Sequence, residues 1–265
     1  MRLMSIASGS SGNCIYVGSE SNHILIDAGV SRKRICEGLR LAGLSINDID
    51  AVFLTHEHSD HVKAAGIIMR SDETAFYSTA GTLDRVIKDK KTGYVDAGLL
   101  TVIEKDRDIM IGDLCIRAFG VSHDAADPVA YTVSCGESKA GVVTDLGVYD
   151  DHVLESMKGC NAFLAEANHD VRMLQSGSYP YDLKRRILGS KGHLSNESSG
   201  SLVSRLLNDS IKAVLLGHLS KENNYDLLAL ETVKQEIDNS DTEYKSCDFN
   251  IEVAGRDTPS MIIEI

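Results

Sequence analysis

The sequence predicts a mixed α/β chain arranged as a four-layer αββα sandwich, in one domain over residues 1–265. Three observations carry this reading. Short apolar runs of strand length alternate with segments of helical periodicity. The runs fall into two strand-rich halves, each followed by helices, and sheets and helices must bury their apolar faces against one another. Only three prolines occur, and no Pro- or Ser-rich linker divides the chain. Periodicity by itself supports only a mixture of helix and strand.

The elements follow in order. Arg2–Ala7 and Cys14–Val17 are apolar runs split by the Ser/Gly loop Ser8–Asn13, and His23–Asp27 is a third strand. Ser31–Gly43 is helical, with Ile35, Leu39 and Ala42 at i, i+4 and i+7. Strand Ala51–Leu54 runs into His56. A helix over Val62–Arg70, a strand at Ala75–Ser78 and a helix at Gly81–Lys90 come next. Strands are expected at Leu99–Ile103, Leu114–Val121, Ala130–Ser134 and Ala140–Thr144, joined by Gly- and Asp-containing turns. Ala162–Ala165 and Ala213–Leu216 are further strands. Helix Glu197–Leu207 starts at Asn196 as N-cap. Helix Asn224–Ile237 carries Leu227, Leu230, Val233 and Ile237 on one stripe, and Asn250–Ile265 holds two short strands.

Hydrophobic residues make up 43% of the chain and charged residues 25%, which excludes a disordered or low-complexity chain. Neither an 18-residue apolar run nor a signal-peptide core is present, so a cytoplasmic protein with no membrane partner is expected. Cys14, Cys36, Cys115, Cys135, Cys160 and Cys247 are scattered in apolar surroundings without CxxC spacing, which reads as buried free thiols. The net charge of −12 argues against a simple nucleic-acid-binding module. It does not exclude an enzyme whose bound metals make the site locally positive.

The chemistry concentrates in His56-Glu57-His58-Ser59-Asp60-His61, at the end of a strand. His56 and His58 lie two apart, so an extended loop can aim both at one ion. Asp60 and His61 can face a second ion beside it. Imidazole and carboxylate suit zinc, iron or manganese.

This segment is the HxHxDH signature of the metallo-β-lactamase superfamily, and the rest of the chain resembles that family in order. Asp27, in LIDAG, matches a motif that there orients the His loop. His123 in GVSHDA, Asp145 in VVTDLG and His218 in LLGHLS match the later motifs. The resemblance implies an αββα metallo-β-lactamase sandwich with two divalent metal ions per chain between the sheets, zinc first, with manganese or iron as alternatives. It implies one ion at His56, His58 and His123, and a second at Asp60, His61 and His218. Asp145 would bridge them. It further implies that Asp60 belongs to the catalytic set, and that a metal-bridging hydroxide is the nucleophile.

Two further motifs narrow the branch. Gly192-His193-Leu194-Ser195, a helix and Gly217-His218-Leu219-Ser220 follow one another as in the transfer-RNA 3′-processing enzyme RNase Z, which the C-terminal half resembles. There a Glu on an earlier strand assists the first His, and Glu166 stands in the matching place. His193 held charged by Glu166 would protonate the leaving oxygen of a phosphodiester. His123 to Asp145 spans 22 residues, too few for the long arm of typical RNase Z. Asp145 to His218 spans 73, too few for the inserted domain of β-CASP nucleases such as RNase J. The segments SIASGSSGN, LTHEHSDH, EANHD, GHLSN and GHLSKENN resemble the short bacterial YycJ/WalJ-type family over the full length. That resemblance implies a 5′→3′ exonuclease acting on DNA, with mismatch-repair proteins as partners.

Substrate contacts are expected from Ser10, Ser11 and Asn13 in the first loop, through hydroxyls and backbone N–H groups. Lys184, Arg185 and Arg186, with Tyr179 and Tyr181, combine cations with stacking surfaces, the ingredients of a single-strand groove. Arg32-Lys33-Arg34 is a candidate for the opposite wall, and His169 and Asp170 for a place near Glu166. Three alternatives stay open. A phosphodiesterase for small cyclic substrates shares every metal motif. An ester, lactone or thioester hydrolase has no use for His193 and Glu166. A non-catalytic or redox metal protein leaves the complete ligand set unexplained. Oligomeric state is not legible.

Overall fold

The computed structural model describes residues 1–89 and 92–265. Among these, the strands are β1 (Arg2–Ala7), β2 (Cys14–Gly18), β3 (His23–Ile26), β4 (Ala51–Phe53), β5 (Ala75–Ser78), β6 (Leu100–Val102), β7 (Asp108–Ile111), β8 (Leu114–Gly120), β9 (Val129–Cys135), β10 (Ser138–Val143), β11 (Ala162–Glu166), β12 (Ala213–Gly217), β13 (Ile251–Val253) and β14 (Ile263–Glu264). They form two seven-stranded sheets, ordered β14-β1-β2-β3-β4-β5-β6 and β13-β12-β11-β10-β9-β8-β7. Each sheet is antiparallel at one end and parallel at the other: β3 to β6 run parallel in the first, β10 to β13 in the second. The last strand returns to the first sheet, where Leu3 pairs with Ile263.

The helices are α1 (Arg32–Leu41), α2 (Ser59–Val62), α3 (Ala65–Asp72), α4 (Ala80–Lys88), α5 (Asp151–Met157), α6 (Val171–Ser176), α7 (Tyr181–Ile187), α8 (Asn196–Leu206) and α9 (Asp226–Asn239). The strand period of two sorts the core into layers. In β11 and β12, Leu164 and Leu215 pack between the sheets, while Phe163, Ala165, Val214 and Leu216 pack outward under α5, α8 and α9. In β3 and β4, Ile24, Ile26, Ala51 and Phe53 face the other sheet, and Leu25 and Val52 face the helices carrying Ile35, Leu39, Ile68 and Val86. Each Val, Leu, Ile or Phe among them contributes roughly 1.5–3 kcal/mol by leaving water. Strands buried on both faces read as continuous apolar runs. The result is the four-layer αββα sandwich that the sequence predicts.

Several expectations need correction. The helix read over Val62–Arg70 is two: α2 begins earlier, at Ser59, and α3 restarts at Ala65 after a break at Lys63 and Ala64. The predicted helix Gly81–Lys90 is α4, ending at Lys88, and Lys90 lies outside the described residues. Ser195, not Asn196, caps α8, its hydroxyl accepting from the Ser198 amide. In α9 the buried stripe is Ala229, Val233 and Ile237, and Leu227 is 64% exposed. Strand β7 and helices α5, α6 and α7 are additions to the sequence reading. Of the cysteines only Cys14 and Cys160 are buried, and Cys247 is exposed, because an apolar neighbourhood in sequence does not fix which face a residue takes. No helix among the described residues is long and apolar enough to cross a membrane.

Candidate metal centre and active site

The candidate residues leave the same rim of the sandwich. Asp27 follows β3, His56 to His61 follow β4, His123 follows β8, Asp145 follows β10, Glu166 ends β11 and His218 follows β12. The carboxyl ends of parallel strands are where α/β sheets gather ligands. Asp27, Asp145 and His218 have φ of 64°, 57° and 56°, in the left-handed region that non-glycine residues seldom enter. Such turns let the chain leave the strand abruptly and throw the side chain across the rim. They persist only where the surroundings hold them.

Backbone contacts lock the His loop. The Asp27 amide donates to Phe53 O (2.8 Å), the Ala28 amide to His61 O (2.8 Å) and the Asn13 amide to Asp60 O (2.8 Å). A Cβ on Gly29 would lie 1.6 Å from Asp60 O, so only glycine permits this approach.

Four imidazoles are tied from behind by Nδ1. His56 meets Thr55 Oγ1 (2.9 Å), His61 donates to Asp27 Oδ2 (2.7 Å), His123 to Gly192 O (3.1 Å) and His218 to Glu166 Oε1 (2.9 Å). That leaves each Nε2 turned inward, the arrangement that fixes metal-ligating histidines. His58 supplies Nδ1, 3.0 Å from His56 Nε2 and 3.3 Å from His123 Nε2. On the other side, Asp60 Oδ2 lies 3.4 Å from His218 Nε2 and 3.6 Å from His61 Nε2. Asp145 stands between: Oδ1 is 3.6 Å from His123 Nε2 and 3.5 Å from His218 Nε2, and Oδ2 is 3.1 Å from His61 Nε2.

These atoms fit divalent ions. Nitrogens about 2.0–2.1 Å from a tetrahedral ion stand roughly 3.3 Å apart, close to the spacing of His56, His58 and His123. Three inward-facing ring nitrogens cannot all satisfy one another by hydrogen bonds. Asp145 Oδ2 is buried without a hydrogen bond. His56, His58 and His123 form one candidate group, and Asp60, His61 and His218 a second.

The electrostatics divide along the same line. Burial lowers His56 well below the ordinary histidine value, aided by the charge on His61 and against the pull of Asp145. Burial likewise lowers His123. Burial opposes the charge on His61 too, but Asp27, Asp145 and Asp60 outweigh it and raise that ring well above its usual value. His218 is pushed up to about 10, burial being overcome by Asp145, Asp60 and Glu166. Against burial, the imidazoles hold Asp60 and Asp145 well below the carboxylate range. In the metal-free protein, protons therefore occupy part of the space that cations would take.

Glu166 is wholly buried and fully engaged. Its Oε1 accepts from His193 Nδ1 (2.8 Å) and His218 Nδ1, and its Oε2 from the amides of Leu146 (3.1 Å) and Leu194 (3.2 Å). Burial disfavours its charge, yet His193 and His218 hold it down at about 2. His193 is raised in turn, Glu166 outweighing burial, and 15% of its side chain stays exposed.

His193 opens on a cleft of about 210 Å³, also lined by Ser10, Asp60, Asp145, Tyr179 and Arg186. The remaining candidates divide. Ser11 lines a neighbouring cleft. Arg186 is paired with Asp124. Asn13 is not turned to the cleft: it is 2% exposed, its Oδ1 accepting from Gly9 N (3.0 Å) and its Nδ2 reaching His61 Nε2 (3.1 Å). Lys184 does not reach the cleft either, since its ammonium donates to the carbonyls of Gln175 (2.8 Å) and Gly177 (2.6 Å). Arg185 is exposed away from the cleft lining, and Tyr181 is 75% exposed. Arg32, Lys33 and Arg34 form no opposite wall, being paired with Asp72, Glu37 and Asp257. His169 is buried with neither ring nitrogen hydrogen-bonded, and burial lowers it to about 4. Asp170 caps α6.

The sequence reading missed Thr55 and Asn168. Thr55 Oγ1 touches both Asp27 and His56, and Asn168 Nδ2 donates to His218 O (2.9 Å). Both stand within motifs already singled out, but a hydroxyl or amide there carries no signal of its own.

Comparison with known proteins places these observations in a lineage. A family model described as "Beta-lactamase superfamily domain" matches residues 22–218. The chain is 37% identical over 260 residues to "Exodeoxyribonuclease WalJ" of Streptococcus pneumoniae, covering 98% of this chain and 96% of that protein. It is 37% identical over 233 residues to "Exodeoxyribonuclease YycJ" of Bacillus anthracis, covering 88% of each. Among solved structures, the metallo-β-lactamase fold protein YhfI from Bacillus subtilis superposes with a TM-score of 0.70 at 15% identity, covering 98% of this chain and 97% of that one, and so shares the fold.

Proposed function

The chain belongs to the beta-lactamase superfamily and, within it, to the WalJ/YycJ exodeoxyribonuclease family, and from that premise we propose that it is a two-metal phosphodiesterase that degrades DNA from the 5′ end. The observation that carries the reading is the buried Glu166 that holds His193 at the edge of the metal-ligand cluster. A phosphodiester expels an alkoxide that needs a proton, and it also presents an anionic phosphoryl group to a charged imidazole, which a neutral ester, lactone or thioester does not.

When bound, divalent cations supply Lewis acidity toward the phosphoryl oxygens and lower the pKa of water. His56, His58 and His123 would hold one ion, Asp60, His61 and His218 the other, and Asp145 would join them. Asp27 fixes His61, and Glu166 fixes His218, each through Nδ1. Asp60 also stands at the cleft beside Ser10, where the substrate would lie. His193 keeps its proton on Nδ1 for Glu166, so Nε2–H is the one available to the departing 3′ oxygen. Arg186 and Tyr179 line the same cleft as His193, and offer charge and a stacking face to the leaving nucleotide. We place the protein in the cytoplasm, with mismatch-repair proteins as its functional partners.

His193→Ala is expected to lower kcat on single-stranded DNA by roughly 10²–10⁴, with metal content by elemental analysis unchanged. Unchanged turnover would reject His193 as the acid. If the wild-type protein hydrolysed cyclic nucleotides and spared DNA, the small-substrate phosphodiesterase would replace the nuclease.

A further inference from the structure

We infer that a second cleft, adjoining the His193 cleft at Ser10 and Asp60, binds the backbone phosphate next to the scissile one, with Lys63 as its cation; this rests on the nuclease reading above. The cleft is about 370 Å³ and is lined by Ser10, Ser11, Ser59, Asp60, Lys63 and Thr92. It meets the His193 cleft at Ser10 and Asp60 and shares no other lining residue with it. The two therefore adjoin along Ser10 and Asp60, with Lys63 on one lining and His193 on the other.

The donors on this wall are unengaged. Lys63 is exposed and makes no ion pair among the described residues, and the hydroxyls of Ser10, Ser11 and Ser59 have no hydrogen-bond partner there. Other loop hydroxyls of the chain are committed: Ser8 to His218 N, Ser31 to Arg34 N, Ser195 to Ser198 N, Ser220 to Asn223 N. Most basic side chains near the rim are paired as well, as Arg32, Arg34 and Arg186 show. One ammonium and three free hydroxyls facing a single cleft are complementary to a phosphate, which accepts on every oxygen. Asp89 also lines the cleft, and its charge disfavours phosphate on its own side, leaving the serine–lysine wall. The wall is stiff at its inner end, because Gly29 packs directly on the Asp60 carbonyl.

The separate linings assign one half of the strand to each cleft. Cleavage breaks the bond from phosphorus to the oxygen beside His193. The half that keeps the phosphoryl group must then continue away from His193, past Asp60, toward Lys63. The Lys63 cleft thus reads the retained strand, while Arg186 and Tyr179 hold the departing nucleotide. A substrate with a single phosphate reaches the metals without using this cleft.

The test is steady-state kinetics of the metal-loaded protein on a single-stranded oligonucleotide and on bis-p-nitrophenyl phosphate, as a function of salt. Lys63→Ala is expected to raise KM for the oligonucleotide about tenfold at low salt, with kcat held. The log–log salt dependence should flatten by about 0.7, one phosphate contact on a single strand. Lys63→Arg should restore both. The ratio of kcat/KM on the oligonucleotide to that on the small substrate should fall. Equal KM and equal salt slope for wild type and Lys63→Ala would overturn the inference while leaving the nuclease reading intact. Equal losses on both substrates would also overturn it, since they mark a structural role. Wild-type protein that turns over only the small substrate overturns the nuclease reading, and this inference with it.

Discussion

Glu166 is the residue on which both halves of the centre depend. One buried carboxylate orients a metal-side imidazole, His218, and a cleft-side imidazole, His193, and is itself held by two backbone amides. Glu166→Gln keeps the shape and removes the charge. It is expected to weaken metal affinity 10–100-fold, as loss of a partner behind a ligand does, and to reduce turnover at saturating metal as well. A chelator-competition titration reads the first effect and kinetics the second. Unchanged affinity would mean that His218 needs no carboxylate behind it. The residues that gather as candidate metal ligands were legible in sequence because imidazoles and carboxylates at fixed spacing have few other uses. The contacts behind them were not: Thr55, Asn168 and the Gly192 carbonyl act through positions that only the fold supplies. Lys184 and Asn13 failed as cleft residues for a related reason, since a polar side chain turns to the nearest free carbonyl or amide, and sequence does not say which is near.

At the scale of the element, strand identity was read well and helix faces less well. Buried strands announce themselves as continuous apolar runs, and β1 was legible to the residue. Strand β7, with Asp108 and Met110 exposed on one side, has too weak an alternation to stand out. Helices α6 and α7, six and seven residues long, show too few turns for a period. In α9 the expected stripe was offset at its start, because Leu227 stands about 200° around the helix from the buried Ala229. Two substitutions separate the buried face from the exposed one. Ile237→Ala should cost about 2–5 kcal/mol and Leu227→Ala no more than about 0.5 kcal/mol in urea unfolding. Equal costs would contradict the packing of this helix. Ser195→Ala, removing the cap of α8, should cost about 1 kcal/mol by the same measurement.

For the whole molecule, the rim joins distant parts of the chain. The Ser8 hydroxyl accepts from the His218 amide (2.9 Å), and the Gly255 carbonyl accepts from the Ser8 amide (3.2 Å). Cations at the rim would therefore tie both sheets together. Metal at about 1,000 times its dissociation constant adds roughly 4 kcal/mol per ion. Chelation should then lower the melting temperature by roughly 8–16 °C per ion lost in a chain of this size. A scan unmoved by chelator would contradict a metal centre that bridges the sheets. The net charge of −12 bears on the same scale. An acidic protein binds a polyanion only through local positive charge, so DNA affinity should depend on loaded metal more than on surface cations.

The most direct measurement is a gel time course on DNA labelled at either end, with the metal-loaded protein and with Asp145→Ala. Stepwise release of mononucleotides from the 5′ end, abolished together with metal content in Asp145→Ala, is the expected result. Intact DNA alongside turnover of a small phosphodiester, or DNA shortened from the 3′ end, would contradict it.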